Sequence, residues 1–120
     1  MTEKRILIVE DDSLLALVLC KHLQMEGYTT FSFARAESFF EFIQSDSDPI
    51  YCVLLDVKLK GSLTGVEISK KIPSSIPIVF CTGNSEIESV IGKNNKQVKG
   101  ILSKPVDMSQ LTHLLNSLGS

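Results

Sequence analysis

The chain has 120 residues, of which 43% are hydrophobic, and its formal net charge is −2 at neutral pH. This length predicts one domain with a single core over residues 1–120, and the hydrophobic fraction excludes a disordered chain. A nucleic-acid-binding domain normally carries a basic stripe, so the near-neutral charge argues against one. No apolar run approaches the roughly 20 residues that cross a bilayer, and the segment from Met1 to Arg5 is unlike a signal peptide. We therefore expect a cytoplasmic protein without a membrane segment.

The cysteines of the chain do not form a recognisable site. Cys20, Cys52 and Cys81 are odd in number and widely spaced. This pattern fits neither a disulfide framework nor a zinc site. We predict buried, reduced thiols that pack as small hydrophobic side chains.

The first strand-like run is followed directly by a segment of helical periodicity. Residues 6–9 are continuously apolar and rich in β-branched side chains, which is typical of a strand buried on both faces of a parallel sheet. Asp12 is a good helix N-cap, and residues 14–25 repeat apolar side chains at helical spacing up to Gly27, a plausible C-cap. We expect the inward face of this helix to carry Leu15, Val18, Leu19, Cys20 and Leu23.

The same alternation continues to the end of the chain. Further strands are predicted at residues 29–33, 51–55, 76–81 and 98–102. Further helices are predicted at residues 36–43, 66–72, 84–91 and 107–118. Five strands alternating with five helices predict a single doubly wound α/β domain, with a parallel sheet, right-handed crossovers and helices on both faces. We see no linker or low-complexity stretch and expect no second domain. The last predicted helix ends close to Ser120, so these 120 residues leave no room for an output module.

Polar side chains follow four of the predicted strands. Glu10 and Asp11 follow the first strand, Asp56 the third, Thr82 the fourth and Lys104 the fifth. In an open α/β sheet the active crevice lies at the carboxyl ends of the strands, so these side chains are expected on one rim. Three crowded carboxylates raise one another's pKa unless a cation lies among them, and Mg²⁺ prefers oxygen ligands and is commonly shared with a phosphate. The set predicts a site that takes up a phosphoryl group.

In this order, these pieces resemble the receiver domain of bacterial two-component response regulators. The resemblance is carried by five segments: Ile6 to Asp11, Leu54 to Asp56, Gly65, Ile78 to Gly83, and Leu102 to Pro105. Each motif is short, but the ordered set spans nearly the whole chain. The resemblance implies the flavodoxin-like fold with strand order 2-1-3-4-5.

The resemblance also implies a metal site. Asp56 would be the phosphoacceptor, and Asp11 and Asp56 would bind Mg²⁺ directly. Glu10 would act on the metal directly or through water. The backbone carbonyl of Lys58, two residues after the acceptor, would be a further ligand.

The remaining implied roles concern the phosphoryl oxygens. Thr82 would bond one of them and report the arrival of the group, and Lys104 would pair with another. The peptide bond between Lys104 and Pro105 is expected to be cis, a form that is rare except before proline.

The family resemblance implies a signalling switch rather than an enzyme with an external substrate. A histidine kinase or a phosphotransfer protein would supply the phosphoryl group, and catalysis would be limited to self-phosphorylation and autodephosphorylation. The downstream partner is an unknown protein, reached through the surface around residues 84–91, 98–102 and 107–118, and a phosphorylation-dependent dimer stays open. His22 and His113 are expected to be surface or boundary residues rather than phosphotransfer histidines.

Two alternatives stay open from the sequence. A pseudo-receiver would be a binding module that works without phosphorylation. A small-substrate phosphatase would also use an aspartate nucleophile, Mg²⁺, a threonine and a lysine. Such enzymes usually carry a cap domain and a second acid two residues after the nucleophile, where this chain has Lys58.

The chain departs from the family pattern around the site. The loop over residues 57–65 lacks the usual proline, and Lys58 is either a solvated residue or one that restricts attacking water and alters the lifetime of the acyl phosphate. Ile101 stands three residues before the site lysine, where many relatives carry a switching aromatic side chain. Gly83 follows the site threonine where alanine is more usual. We therefore expect relay by rearrangement of the loop or helix after the fourth strand.

Overall fold

The computed structural model describes residues 3–46, 48–57, 64–83 and 95–119. Five strands form one sheet, and each pairs in parallel with its neighbours. The strands are β1 (Arg5–Val9), β2 (Thr29–Phe33), β3 (Cys52–Asp56), β4 (Ile78–Thr82) and β5 (Val98–Ser103). Their order across the sheet is β2-β1-β3-β4-β5, which confirms the predicted order.

Helices lie on both faces of this sheet, as predicted. The described helices are α1 (Ser13–Met25), α2 (Ala36–Ser45), α3 (Gly65–Ser69) and α4 (Met108–Leu118). Helix α3 ends before residues 70–72, which were predicted as helix. There Lys71 and Ile72 donate to carbonyls only three residues back, so this segment is a tightened turn. The helix predicted over 84–91 lies outside the described residues.

Two hydrophobic layers form because successive strand residues point to opposite faces of the sheet. One layer is built on Leu7, Val53, Leu55 and Phe80, and Phe39 of α2 and Ile68 of α3 pack into it. The opposite layer contains apolar residues of the other strand face together with α1 and α4: Ile6, Ile8, Leu19, Leu23, Leu54, Leu111 and Leu115. Strands β1 and β3 are therefore buried on both faces, as their continuous apolar sequences predict.

One predicted feature of α1 is wrong. Val18 was expected to face inward, but it is 43% exposed, and Ala16 is buried instead. The helix is apolar on most of its circumference, so its sequence pattern does not single out the buried face. Leu17 and Val18 follow Leu14 at spacings of three and four residues, which places all three on one exposed stripe.

The thiols and histidines take mostly the positions expected. Cys52 and Cys81 are buried and reduced, whereas Cys20 is only half-buried. Burial raises the pKa of Cys81 to about 12. His22 is half-buried, with Nε2 2.6 Å from the hydroxyl of Thr112 on α4. Within the described ranges, every helix is too short or too polar to span a bilayer.

Candidate acidic site at the carboxyl edge of the sheet

Five candidate residues come together where the strands end. Glu10 and Asp11 follow β1, Asp56 and Thr82 are the last residues of β3 and β4, and Lys104 follows β5. The strands are in parallel register, with Asp56 beside Cys81 and Thr82 beside Ser103. The strand ends therefore lie at one edge, as the sequence predicts.

The three carboxylates form a compact group. One oxygen atom from each of Glu10, Asp11 and Asp56 lies within 4.8 Å of the others. Glu10 and Asp56 are only 4% and 6% exposed, and Asp11 is half-buried. Three acids at this spacing need nearby positive charge, and a set of carboxylate oxygens fits a hard cation such as Mg²⁺. The donor set thus suits the expected metal.

Lys104 supplies positive charge to this group. Its ammonium lies 2.9 Å from Oε1 of Glu10 and 3.2 Å from Oδ2 of Asp56. Partial burial alone would lower the pKa of Lys104, but the hydrogen bond to Glu10 and the charges of both acids outweigh it and raise the pKa. The lysine therefore stays charged across the physiological range.

A backbone hydrogen bond fixes the position of Lys104 relative to β4. Its N–H donates to the carbonyl of Thr82 at 2.8 Å, which ties the end of β5 to the end of β4. The peptide bond from Lys104 to Pro105 is cis, which confirms the expectation. The hydroxyl-bearing Thr82 and the lysine are thus held on adjacent strand ends.

Glu10 is engaged through both of its carboxylate oxygens. Oε1 accepts from Lys104 at 2.9 Å, and Oε2 accepts from the backbone N–H of Asp12 at 3.0 Å. Burial raises the pKa of Glu10, although these two hydrogen bonds oppose that effect. A buried carboxyl with a raised pKa binds a proton more readily than an exposed one.

Gly65 closes the loop that leaves Asp56. Its N–H donates to the carbonyl of Val57 at 2.8 Å. A Cβ at this position would overlap the carbonyl oxygen of Asp56 and come within 2.7 Å of the Cα of Val57. Next to it, Thr64 and Glu67 form a capping box, with bonds of 3.1 and 3.2 Å, that starts α3. The backbone of the acceptor position is therefore packed against α3.

Two departures from the family pattern lie near the carboxyl ends of β4 and β5. Ile101 on β5 is half-buried and packs against the core, opposite Phe80 in the sheet register. A Cβ added at Gly83 would meet nothing within 4 Å. Lys58, whose carbonyl was expected to bind the metal, lies outside the described residues.

The family model for the response regulator receiver domain matches residues 6–116. The chain belongs to the receiver domain family. Receiver domains are signalling modules that work with histidine kinases and downstream effectors in two-component systems. The strand order and the ordered site motifs of the sequence agree with this family.

Similar proteins include both short and long members of the family. The chain is 30% identical to the transcriptional regulatory protein RprY of Bacteroides fragilis, matching 98% of this chain but only 50% of that protein. It is 27% identical to sporulation initiation phosphotransferase F of Bacillus subtilis, over 92% of this chain and 90% of that protein. It is 26% identical to the response regulator receiver protein CpdR of Brucella abortus, over 96% of each. The chain thus spans half of the first relative and nearly all of the other two.

Solved receiver structures share the fold. A receiver domain protein from Methanospirillum hungatei superposes with a TM-score of 0.79 at 25% identity, covering 98% of each chain. The response regulator TrrA of Thermotoga maritima, solved with Mg²⁺ and beryllofluoride, superposes with a TM-score of 0.82 at 24% identity, covering 96% of this chain and 98% of that one. These likenesses extend the agreement from the sequence to the whole receiver fold.

Sequence reasoning missed two contacts in this receiver. Asp12 was expected only as a helix cap, but its N–H also holds Glu10. Gly65 was recognised as part of a motif, but its contact with the Asp56 backbone was not foreseen. One sequence signal could have indicated the contact between Asp12 and Glu10: Asp12 directly follows an acidic pair and stands at the start of a helix.

Proposed function

We propose that residues 1–120 act as a receiver domain that accepts a phosphoryl group on Asp56 and thereby switches a protein–protein interaction surface. A histidine kinase or a phosphotransfer protein is the donor. The observation that carries this proposal is the Asp56 carboxylate at the end of a buried strand, grouped with two further acids and 3.2 Å from the Lys104 ammonium. Burying such a charge is costly unless the site uses it.

The chemistry assigned to Asp56 is nucleophilic. A carboxylate oxygen forms a new bond to phosphorus while the P–N bond to the donor imidazole breaks. The electron pair of that bond leaves with the imidazole, which takes up a proton from solvent. Later attack of water on the acyl phosphate releases inorganic phosphate and restores Asp56. These two reactions on its own side chain are the only catalysis proposed for the chain.

Lys104 and Thr82 are assigned to the phosphoryl oxygens. The incoming group and the nucleophile are both anionic, so a fixed ammonium lowers their repulsion. The raised pKa of Lys104 keeps that charge in place. Thr82 is 4% exposed at the end of β4, where its hydroxyl can meet a phosphoryl oxygen on the neighbouring strand end. Movement of Thr82 toward the phosphoryl group is the proposed first step of the switch.

The acidic group is assigned to Mg²⁺. Asp11 and Asp56 would bind the ion, with Glu10 acting through water or directly, and the Lys58 carbonyl remains a proposed ligand outside the described residues. When bound, the ion supplies positive charge that stabilises the transferring phosphoryl group. The chain's own part is to hold the acids together and to limit their access to water.

The exposed stripe on α1 is assigned to the donor. Leu14, Leu17 and Val18 are 69%, 51% and 43% exposed, although they are large apolar side chains. A groove of about 620 Å³ runs between α1 and the end of β2 and connects Leu14 and Leu17 with Glu10 and Asp11. An apolar patch that borders the acceptor site suits a protein that must bring its phosphohistidine to Asp56.

Acetyl phosphate, a small donor that needs no protein surface, tests the proposal directly. With Mg²⁺ present, intact-protein mass spectrometry is expected to detect one added phosphoryl group on the wild type and none on Asp56→Asn. Two-dimensional NMR with Mg²⁺ and beryllofluoride is expected to shift resonances around the acidic site and on the surface that switches. An Asp56→Asn protein that is phosphorylated like the wild type would contradict the proposal. A wild type that binds neither Mg²⁺ nor beryllofluoride would instead identify a binding module that works without phosphorylation.

Dimerisation is tested in the same samples. Light scattering with and without beryllofluoride measures whether activation changes the molar mass of the protein.

Steady turnover of a phosphate ester such as p-nitrophenyl phosphate would indicate a phosphatase and contradict the proposed restriction to self-phosphorylation and autodephosphorylation.

A further inference from the structure

Asp12 takes part in two structures at once. Its carboxylate caps α1 by accepting from the backbone N–H groups of Leu14 and Leu15, both at 3.1 Å. Its own N–H donates to Oε2 of Glu10 at 3.0 Å. The side chain of Asp12 is exposed, whereas Glu10 is buried, so one residue links the surface end of α1 to the interior of the acidic site.

This contact affects the site because two different donors bind the two carboxylate oxygens of Glu10. Lys104 holds Oε1 and the Asp12 N–H holds Oε2. If the Asp12 N–H moves away, Oε2 of a buried carboxylate loses its donor, and the carboxylate is free to turn toward Lys104. Its alignment with Asp11 and Asp56 then changes as well. Loss of a partner that orients a metal ligand typically lowers metal affinity by roughly 10- to 100-fold.

We propose that Asp12 is a positioning residue for the acidic site: its side-chain cap on α1 fixes the N–H that orients Glu10. The cap determines the backbone conformation of Asp12 and therefore the direction of this N–H. This inference rests on the proposed use of the acidic group for Mg²⁺. The proposed role of Asp12 is to orient Glu10, and it adds no metal ligand. Asp12 itself would contact neither the metal nor the phosphoryl group.

The chain contains a matched control for this role. Asp107 caps α4 in the same way, accepting from the N–H groups of Ser109 and Gln110 at 2.9 and 3.2 Å. Among the described hydrogen bonds, Asp107 makes none with a residue of the acidic site. Replacing either aspartate by alanine removes one helix cap, but only the change at position 12 reaches Glu10.

Charge and cap are separated by a second substitution. Asp12→Ala removes both the negative charge and the cap, whereas Asp12→Asn removes the charge but keeps a good capping side chain. Any loss of Mg²⁺ affinity common to both variants is due to charge. The additional loss in Asp12→Ala measures positioning.

The experiment is an NMR-monitored Mg²⁺ titration of the 120-residue wild type and of Asp12→Ala, Asp12→Asn and Asp107→Ala, together with thermal unfolding. We expect Asp12→Ala and Asp107→Ala to lose similar stability. Asp12→Ala should bind Mg²⁺ about 10-fold more weakly than Asp12→Asn, which is the lower end of the range for loss of a contact that orients a metal ligand. Asp107→Ala should show no such loss of affinity. In the metal-free protein, the amide of residue 12 should be less protected from hydrogen exchange, relative to its intrinsic rate, in Asp12→Ala than in Asp12→Asn.

Equal Mg²⁺ affinities of Asp12→Ala and Asp12→Asn would overturn the inference, as would an equal loss in Asp107→Ala. Equal protection of the residue-12 amide in these two variants would also overturn it. Failure of the proposed function is a separate result, since it appears as absent phosphorylation of the wild type by acetyl phosphate. The metal-free exchange measurement tests the positioning role even in that case.

Discussion

The ammonium group of Lys104 lies 3.2 Å from the carboxylate of Asp56 and 2.9 Å from that of Glu10. One cation therefore serves two buried acids. In the proposed function the same cation must turn to the phosphoryl group when it arrives, so the lysine both neutralises the resting site and assists the reaction.

Substituting this lysine should separate metal binding from phosphorylation. Lys104→Met keeps most of the length of the side chain but removes the charge that competes with Mg²⁺ for the acids. We expect Mg²⁺ affinity to stay the same or rise, while the rate of phosphorylation by acetyl phosphate falls about 100-fold, as for other lost charge-stabilising donors. The two values come from an NMR titration and from time-resolved mass spectrometry. Lys104→Met with the wild-type phosphorylation rate would remove the lysine from the proposed mechanism.

Mg²⁺ binding should depend on pH through Glu10. Burial raises the pKa of this carboxyl above its ordinary value of 4.5, so protons compete with the metal at a higher pH than at an exposed acid. Mg²⁺ affinity should fall as the pH falls through this raised pKa. Glu10→Gln should flatten that step, which titrations at several pH values would detect. A step of equal size in Glu10→Gln would assign the proton to another residue.

The raised pKa of Glu10 also predicts how the stability of the metal-free protein depends on pH. A carboxyl with a raised folded-state pKa contributes stability that is fully present below its unfolded value, 4.5, and is lost as the pH rises through the folded value. The wild type should therefore lose free energy of unfolding through this group as the pH rises from acidic to neutral, and Glu10→Gln should not. Relative to wild type, the variant should become more stable as the pH rises. Urea unfolding at both pH values measures the difference, and an unchanged or opposite trend would contradict the direction given for the Glu10 pKa.

Gly65 should tolerate no side chain. In Gly65→Ala the new methyl group would collide with the backbone of Asp56 and Val57, and we expect a loss of about 1–3 kcal/mol of folding free energy, typical of overpacking. Phosphorylation should slow because the acceptor is displaced. Gly83→Ala is the control, since its Cβ enters open space and should change stability by less than about 1 kcal/mol. Similar losses in both variants would show that steric contact with Asp56 is not the cause.

The apolar stripe on α1 should matter for a protein donor but not for a small one. Leu17 is 51% exposed, so Leu17→Ser should cost little stability, within about 0.5 kcal/mol for a surface change. We expect slower transfer from a phosphorylated histidine kinase and an unchanged rate with acetyl phosphate. Met25→Ser, at the far end of the same helix and 85% exposed, is the control. Equal transfer rates for Leu17→Ser and wild type would place the donor elsewhere.

The sequence predicts the sheet and the composition of the site well, for a physical reason. A strand buried on both faces must be apolar throughout, so runs such as 52–55 are conspicuous, and the polar residue that ends each run must lie at the edge. The sequence predicts side-chain direction less well. Val18 and Ala16 are both apolar, and only packing against the sheet decides which one is buried. The Asp12 N–H could not be foreseen either, because its direction depends on the backbone conformation of the cap.

The double role of Asp12 makes the surface of α1 and the acidic site thermodynamically linked. If a donor docked on α1 alters the cap, it changes the affinity of the site for Mg²⁺ by some factor. Mg²⁺ must then change the affinity for the donor by the same factor, because coupling between two binding equilibria is reciprocal. If docking tightens the cap and so raises Mg²⁺ affinity, the receiver binds its donor more tightly when the ion needed for transfer is already bound.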